Sequence, residues 1–477
     1  MNNSIYWYDY ETFGIDPRQD RIVQFAGLRT DEDLNIIGDP LVMFCKPADD
    51  VLPDPYACMV TGITPQKALA EGLIEAEFIA AIHQEFSRPG TCVAGYNNIR
   101  FDDEFTRNTL YRNFFNPYSH EWQHGNSRWD LIDIVRLTRA LRPEGIEWPA
   151  DESGYPSIRL ELLTAANNIA HDAAHDAMSD VYATIALAKL IREKQPRLYD
   201  YMYPLRKKQA ISAQLNLHTH EAVLHASSRY SAERGAIAMV MPICMHPVNK
   251  NGVVVYDLAT PPDDFIATDA EEIAARLYTP SAELPEDAPR IPLKVVHLNK
   301  CPVVVPLKTM DAASANRLNI NIDECEQHRS KLLADIDALA AKTRMVFTDQ
   351  TFPTTSDPDL QLYSGGFFSD ADNARMHTIR NTSANDLSNL NLVFDDKRLP
   401  EMLFRYRARN FPNSLSQEER ETWDAFRHQR FIDPAASPRT MNRFLADIDA
   451  LQMADDTTGM QLVVLEELLS YAERIKI

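Results

Sequence analysis

The order in which strand-like and helix-like patterns follow one another does most to limit the folds open to this chain. Over roughly the first 190 residues, short apolar runs alternate with helical periodicity, which implies an α/β unit. Residues 5–8, 23–28 and 41–45 read as strands that open a sheet in antiparallel fashion, and 91–94 as a further short buried strand. Residues 78–86, with apolar side chains at 78, 79, 82 and 86, and the alanine-rich stretch 181–191 read as helices. The character changes beyond Gln195-Pro196-Arg197. Strand patterns dominate there, at 222–226, 236–245, 253–258, 293–298 and 303–307, with Asn251-Gly252 as a hairpin turn. A proline-rich excursion at Pro280, Pro285, Pro289 and Pro292 reads as an ordered surface loop. After Thr351-Phe352-Pro353 helical patterns fill the rest of the chain. Three domains are expected: α/β over 1–192, β-rich over 196–348 and all-α over 352–477.

Length and composition agree, since 477 residues suffice for two or three domains and 45% hydrophobic with 25% charged residues is the balance of a packed globular protein. The strongest apolar run, 236–245, is ten residues long and contains Pro242, against the roughly 20 needed to span a bilayer, so no membrane association is expected. Met1-Asn2-Asn3-Ser4 carries no basic cluster, and the apolar stretch behind it is broken by Asp9 and Glu11, so a cytoplasmic protein is expected. The six cysteines, at 45, 58, 92, 244, 301 and 325, form no Cys-x-x-Cys pair, which argues against a zinc site or a disulfide framework.

Chemistry is concentrated in three acidic clusters. Asp9-Tyr10-Glu11 ends an apolar strand, and strand alternation turns residues 9 and 11 to the same face. Two carboxylates pointing together repel unless a cation offsets them, although a solvated strand end explains the pair as well. In the second cluster, 95–104, Asn97 leaves a strand and Asp102 opens a helix, with Phe101 and Phe105 one turn apart. A helix-start carboxylate is itself favourable at that place. In the third, His175 and Asp176 precede a helix that carries Asp180; His175 alone would pass for a capping histidine.

Taken together and in order, Asp9-x-Glu11, Asn97-x-x-x-Phe101-Asp102 and His175-x-x-x-x-Asp180 resemble the DEDDh exonucleases of the DnaQ-like, ribonuclease H-like superfamily. Thr61-Gly62-Ile63-Thr64 resembles a turn that many of them carry after the third strand. Asp-Tyr-Glu-Thr-Phe-Gly at 9–14, Gly-Tyr-Asn-Asn at 95–98, His-Asp-Ala-Met at 175–178, Asn-Lys-Cys-Pro at 299–302 and Tyr-Arg-Ala-Arg-Asn-Phe-Pro at 406–412 make the whole chain similar to the bacterial exonuclease I family. That resemblance implies a ribonuclease H-like mixed-sheet exonuclease domain followed by an SH3-like domain and a helical C-terminal domain. It also implies a monomeric 3′ to 5′ exonuclease that degrades single-stranded DNA to 5′-mononucleotides, and docking of the C-terminal tail of single-strand DNA-binding protein. Arg142 and Tyr201, with Lys207 or Lys208, are the candidates for that docking.

The oxygen ligands Asp9, Glu11, Asp102 and Asp180 suit two Mg²⁺ ions, with Mn²⁺ as substitute, and His175 suits the general base. Glu11, Asn97, Phe101 and Arg159 are the expected substrate-binding residues, Arg159 by alignment with a substrate-contacting arginine of the family. A net charge of −21, from 48 basic and 69 acidic side chains, opposes a polyphosphate partner in bulk but says little about one cleft. Residues 100–160 hold eight arginines, no lysine and many aromatics, and 397–443 hold ten basic against six acidic side chains. Arg405, Arg407 and Arg409 in that second island are expected to track DNA. Competing readings are an RNA-trimming member of the superfamily and a repair scaffold without chemistry.

Overall fold

A computed structural model describes residues 3–152, 154–171, 176–348 and 355–475. The chain packs as two units, neither of them one continuous stretch: the first gathers 1–127, 171–185 and 354–477, the second 128–170 and 186–353.

In the first unit β1 (Ser4–Thr12), β2 (Ile22–Thr30) and β3 (Leu41–Phe44) form the expected antiparallel start, and β4 (Thr91–Gly95) adds to the other side of β1 in parallel. A parallel neighbour needs a crossover, and the helix Glu75–Phe86 provides one. Its Phe78, Ile79, Ile82 and Phe86 cover the sheet face that presents Tyr6, Tyr8, Tyr10 and Phe25. Aromatic and β-branched side chains suit such a pleated, buried surface. Gly95 ends β4 where a Cβ would stand 2.9 Å from the Tyr8 carbonyl oxygen, so glycine lets the two strands close up immediately before Asp9. The Thr61-Gly62-Ile63-Thr64 turn is a helix boundary: Gly62, at φ 67°, ends Pro55–Thr61 in the left-handed region and Thr64 caps Pro65–Glu71.

The helices after residue 354 complete this unit. Phe13, Val23, Leu52 and Met59 share one core with Phe431, Phe444, Ile448, Leu465 and Leu468, and Tyr111 and Phe114 share another with Met376, Ile379, Leu399, Met402 and Tyr406. Arginines fasten that seam, at Arg409–Asp50 and at Arg439, and tie the C-terminal stretch to itself. Arg409 donates to Asp50 Oδ2 at 2.8 Å and Asp359 Oδ2 at 2.7 Å, Arg405 to Asp357 Oδ1 at 2.6 Å, and Arg439 to Asp20 Oδ1 at 2.7 Å and Asp54 Oδ2 at 2.8 Å. Arg407 pairs with Glu419. Burial alone would raise the carboxyls of Asp50 and Asp359, yet the surrounding guanidinium groups hold both well below the usual range. This overturns the expected DNA track at 405, 407 and 409, because all three guanidinium groups are buried and already paired. The sequence signal was misleading because the partners of Arg405 and Arg409 include Asp50, Asp357 and Asp359, which lie outside the basic stretch. A chain ended near Leu190 would leave this core half built, so it is not expected to keep the metal site.

β5 (Ser127–Asp130) leads the chain into the second unit. There β6 (Val223–Ala226), β7 (Ile237–Met245), β8 (Gly252–Asp257), β9 (Leu293–His297) and β10 (Val303–Pro306) form an antiparallel sheet in the order β10-β6-β7-β8-β9. All five expected strands are present. The turn at Asn251-Gly252 closes with the His246 amide donating to the Gly252 carbonyl at 2.9 Å. Sequence reading missed the helices Asp263–Ala267 and Ala270–Tyr278 between β8 and β9, which fill much of the stretch ahead of the proline-rich loop. All six cysteines are free, and no helix among the described residues is long and apolar enough to cross a membrane.

Candidate active site

β1 brings Asp9 and Glu11 to one face, as its alternation requires, and its register against β2 shifts between Glu11 and Thr12, where the strand ends. β4 stops at Gly95, Asn97 turns the chain at φ 66°, and the helix Asp102–Arg112 begins with Asp102 buried in its first turn. The helix Ala177–Lys194 carries Asp180 in its own first turn. These elements converge. Carboxylate oxygens of Asp9, Glu11 and Asp180 lie within 4.8 Å of one another, and Asp102 is close enough to Asp9 for their charges to repel.

The electrostatics are those of a site short of positive charge. Burial first, and then the charges of Asp102, Asp180 and Asp176, lift the Asp9 carboxyl well above the usual range. Glu11 is pushed up to about 9, by burial and then by Asp9, Asp180 and Asp176. A hard divalent cation fits this donor set, since it would replace the repulsion among buried carboxylates with attraction to each. One consequence is measurable. Glu11 binds a proton more tightly folded than unfolded, so its contribution to stability is present below about pH 4.5 and lost as pH rises toward about 9. Without metal, the melting temperature of the protein is therefore expected to fall between roughly pH 5.5 and 8.5. The fall should be shallower in Glu11→Gln and reversed by adding a divalent ion. A metal-free melting curve that ignores pH over that range would contradict the assignment.

Of the other expected residues, Phe101 is half-buried with its ring 5.0 Å from Phe105, and Asn97 is half-buried beside β4. Arg159 belongs to the second unit; its side chain is 69% exposed and pairs with Glu161. Among the remaining arginines of 100–160, Arg107 pairs with Glu104 and Glu121, Arg112 with Glu75, and Arg136 with Asp133, so these three are structural in this state. His175 lies outside the described residues. Among the described residues, His171 stands at the site, its Nε2 hydrogen-bonded to Asp180 Oδ1. Sequence reading passed over it, although an Ala-His-Asp-Ala repeat at 170–173 and 174–177 offers two histidines ahead of Asp180. Asp176, whose charge reaches both Asp9 and Glu11, was likewise given no role.

Comparison with known proteins fits this arrangement. Residues 6–188 match the Exonuclease family model, 206–349 the Exonuclease I SH3-like domain and 356–475 the Exonuclease I C-terminal domain. The chain is 45% identical to exodeoxyribonuclease I of Escherichia coli (strain K12), over 100% of this chain and 98% of that one. Among solved structures, a moderately thermophilic exonuclease I from Methylocaldum szegediense aligns with TM-score 0.95 and 51% identity over 99% of both chains. E. coli exonuclease I in complex with a dA16 oligonucleotide aligns with TM-score 0.94 and 44% identity over 100% of both. A crystal structure of SSB/exonuclease I in complex with the inhibitor CFAM aligns with TM-score 0.90 and 43% identity, again over 100% of both.

Proposed function

The chain belongs to the exonuclease I family, and from that membership we infer that it is an exodeoxyribonuclease degrading single-stranded DNA from the 3′ end to 5′-mononucleotides, in DNA repair and recombination. The observation that carries the reading is the trio Asp9, Glu11 and Asp180, whose oxygens lie within 4.8 Å of one another. We divide the chain into an exonuclease domain over 1–192, an SH3-like domain over 196–348 and a helical domain over 352–477, a division supported by the matched spans.

Asp9, Glu11, Asp102 and Asp180 would hold divalent ions, and we assign two Mg²⁺, with Mn²⁺ able to substitute. Bound there, the ions would neutralise the carboxylates and the scissile phosphate and lower the pKa of a nucleophilic water. His175 takes the proton of the attacking water on a ring nitrogen, a role suited to a side chain that titrates near neutrality. His171 holds the Asp180 carboxylate in place by hydrogen bonding one of its oxygens. Glu11, Asn97 and Phe101 contact the terminal nucleotides, and Arg159 grips a phosphate through its guanidinium fork. No covalent enzyme intermediate is required.

The acidic C-terminal tail of single-strand DNA-binding protein is the protein partner we assign. The candidates are Arg142, half-buried in the second unit with its guanidinium group donating to the Leu141 and Thr309 carbonyls, Tyr201 of the same unit with its exposed ring, and Lys207 or Lys208, since an acidic tail with a terminal apolar side chain needs a cation and an apolar surface. We place the enzyme in the cytoplasm as a monomer.

The test of the reading is mass analysis of products from an end-labelled single strand with Mg²⁺, run beside the same sequence in RNA. Release of 5′-mononucleotides from the 3′ end of DNA is expected, and comparable degradation of RNA would redirect the assignment. His175→Ala is expected to slow the single-turnover rate by roughly 10²- to 10⁴-fold while leaving the Kd for single-stranded DNA unchanged. A variant that binds weakly yet cleaves at the wild-type rate once saturated would make His175 a binding residue.

A further inference from the structure

Each proposed ligand on β1 has a tyrosine beside it pointing the other way. Tyr8 and Tyr10 flank Asp9, and strand alternation turns both away from the carboxylates into the aromatic core, where they are 2% and 4% exposed. Phe25, Phe78, Phe86 and Phe105 pack in the same core without hydroxyls, so packing alone does not require a phenol at positions 8 and 10. A hydroxyl buried there is unfavourable unless it finds a partner. Both partners lie on the helix that begins with Asp102. The Tyr8 hydroxyl donates to Asp103 Oδ1 at 2.6 Å, and Asn98 Nδ2 donates to the same oxygen at 3.4 Å. The Tyr10 hydroxyl meets Thr106 Oγ1 at 2.9 Å, and Thr106 Oγ1 in turn donates to the Asp102 carbonyl at 3.0 Å. Because the single threonine proton goes to that carbonyl, Tyr10 is the donor in its own bond. Asp103 and Thr106 are as buried as their partners, 3% and 1% exposed.

We propose that Tyr8–Asp103 and Tyr10–Thr106 form a double lock that sets the spacing between Asp9 and Glu11 on the strand and Asp102 on the helix, making these four positioning residues for the metal site. The inference rests on the reading of Asp9, Glu11, Asp102 and Asp180 as metal ligands. The lock bridges the gap that repulsion would open: residues 9 and 102 push apart, while their chain neighbours 8 and 103 are joined by a hydrogen bond to a carboxylate, the stronger kind. Two such bridges on successive strand residues of one face also prevent the strand from sliding along the helix. A ligand set held in this way binds metal without first having to be assembled, and removing an outer hydrogen-bond partner commonly weakens metal binding by 10- to 100-fold.

The experiment is Mn²⁺ titration of the full-length protein, followed by calorimetry or by the electron paramagnetic resonance of the free ion, with melting temperature recorded for every variant. Tyr8→Phe and Thr106→Val are each expected to weaken Mn²⁺ binding by about 10- to 100-fold at a temperature where both are folded. Asp103→Asn, which keeps an acceptor oxygen for Tyr8, should leave Mn²⁺ binding within about threefold of wild type. Tyr6→Phe removes a phenol of equal burial from the same face, farther from the ligands, and should leave Mn²⁺ affinity unchanged. Wild-type affinity in a folded Tyr8→Phe, or an equal loss in Tyr6→Phe, would overturn the lock. If Tyr8→Phe does not fold, Thr106→Val decides in the same way. The underlying reading fails separately: the wild-type protein would then take up no Mn²⁺, or its uptake would survive Asp9→Ala.

Discussion

Asp9→Ala and Asp180→Ala are each expected to slow single-strand degradation by roughly 10³- to 10⁴-fold while the protein stays folded. Each carboxylate is one of the three whose oxygens gather within 4.8 Å, so losing either dismantles the cation site. Metal ions contribute several kcal/mol of transition-state charge stabilisation, and at 1.36 kcal/mol per factor of ten a loss of about 4 to 6 kcal/mol slows turnover by roughly 10³- to 10⁴-fold. Stability should move the other way. Burial and the neighbouring charges of Asp102, Asp180 and Asp176 raise the Asp9 carboxyl, so without metal its removal relieves repulsion, and the metal-free melting temperature should hold or rise. Wild type gains about 2.7 kcal/mol from a ligand present at 100 times its Kd, and the variants should lose that gain. Turnover and melting temperature with and without Mg²⁺ check both halves. Unchanged turnover in either variant would take that residue out of the site.

Arg409→Ala should be strongly destabilising. Its side chain is 4% exposed and its guanidinium group holds Asp50, which is fully buried, together with Asp359. Deleting one partner of a buried ion pair leaves the other charge uncompensated, at about 3 to 5 kcal/mol. For a unit of this size that corresponds to a melting temperature lower by on the order of 10 °C. Arg430, whose Nε lies 3.9 Å from Asp50 Oδ2, is too distant to take over the whole role. Degradation of long strands and of very short oligomers should decline together as the folded fraction falls, with the salt dependence of DNA binding unchanged. If instead the melting temperature held and only long strands were affected, Arg409 would be a DNA contact after all.

The contrast between these two sites shows where sequence reading succeeds. Asp9, Glu11, Asp102 and Asp180 are legible because each stands at the end of a strand or the start of a helix, and local periodicity alone says which way such a residue faces. The β6–β10 strands are legible for the same reason, as short apolar runs between turn residues. Local rules do not report who pairs with whom across hundreds of residues. Arg409 and Asp50 are 359 positions apart, and Tyr8 and Asp103 are 95 apart; nothing in either neighbourhood announces the partner. The basic stretch 397–443 therefore looks like a surface for polyphosphate until the fold places acids against it.

The sequence by itself determined the kinds of element, their order, the chemistry of the carboxylates and the family, because these depend on residue type and on spacing of a few positions. Only the tertiary structure decided that the last 120 or so residues complete the first unit, that the arginines at 405, 407 and 409 are internal ties, and that His171 reaches Asp180. Those outcomes depend on burial, which removes water from a charged group and forces it to find a partner wherever the chain brings one.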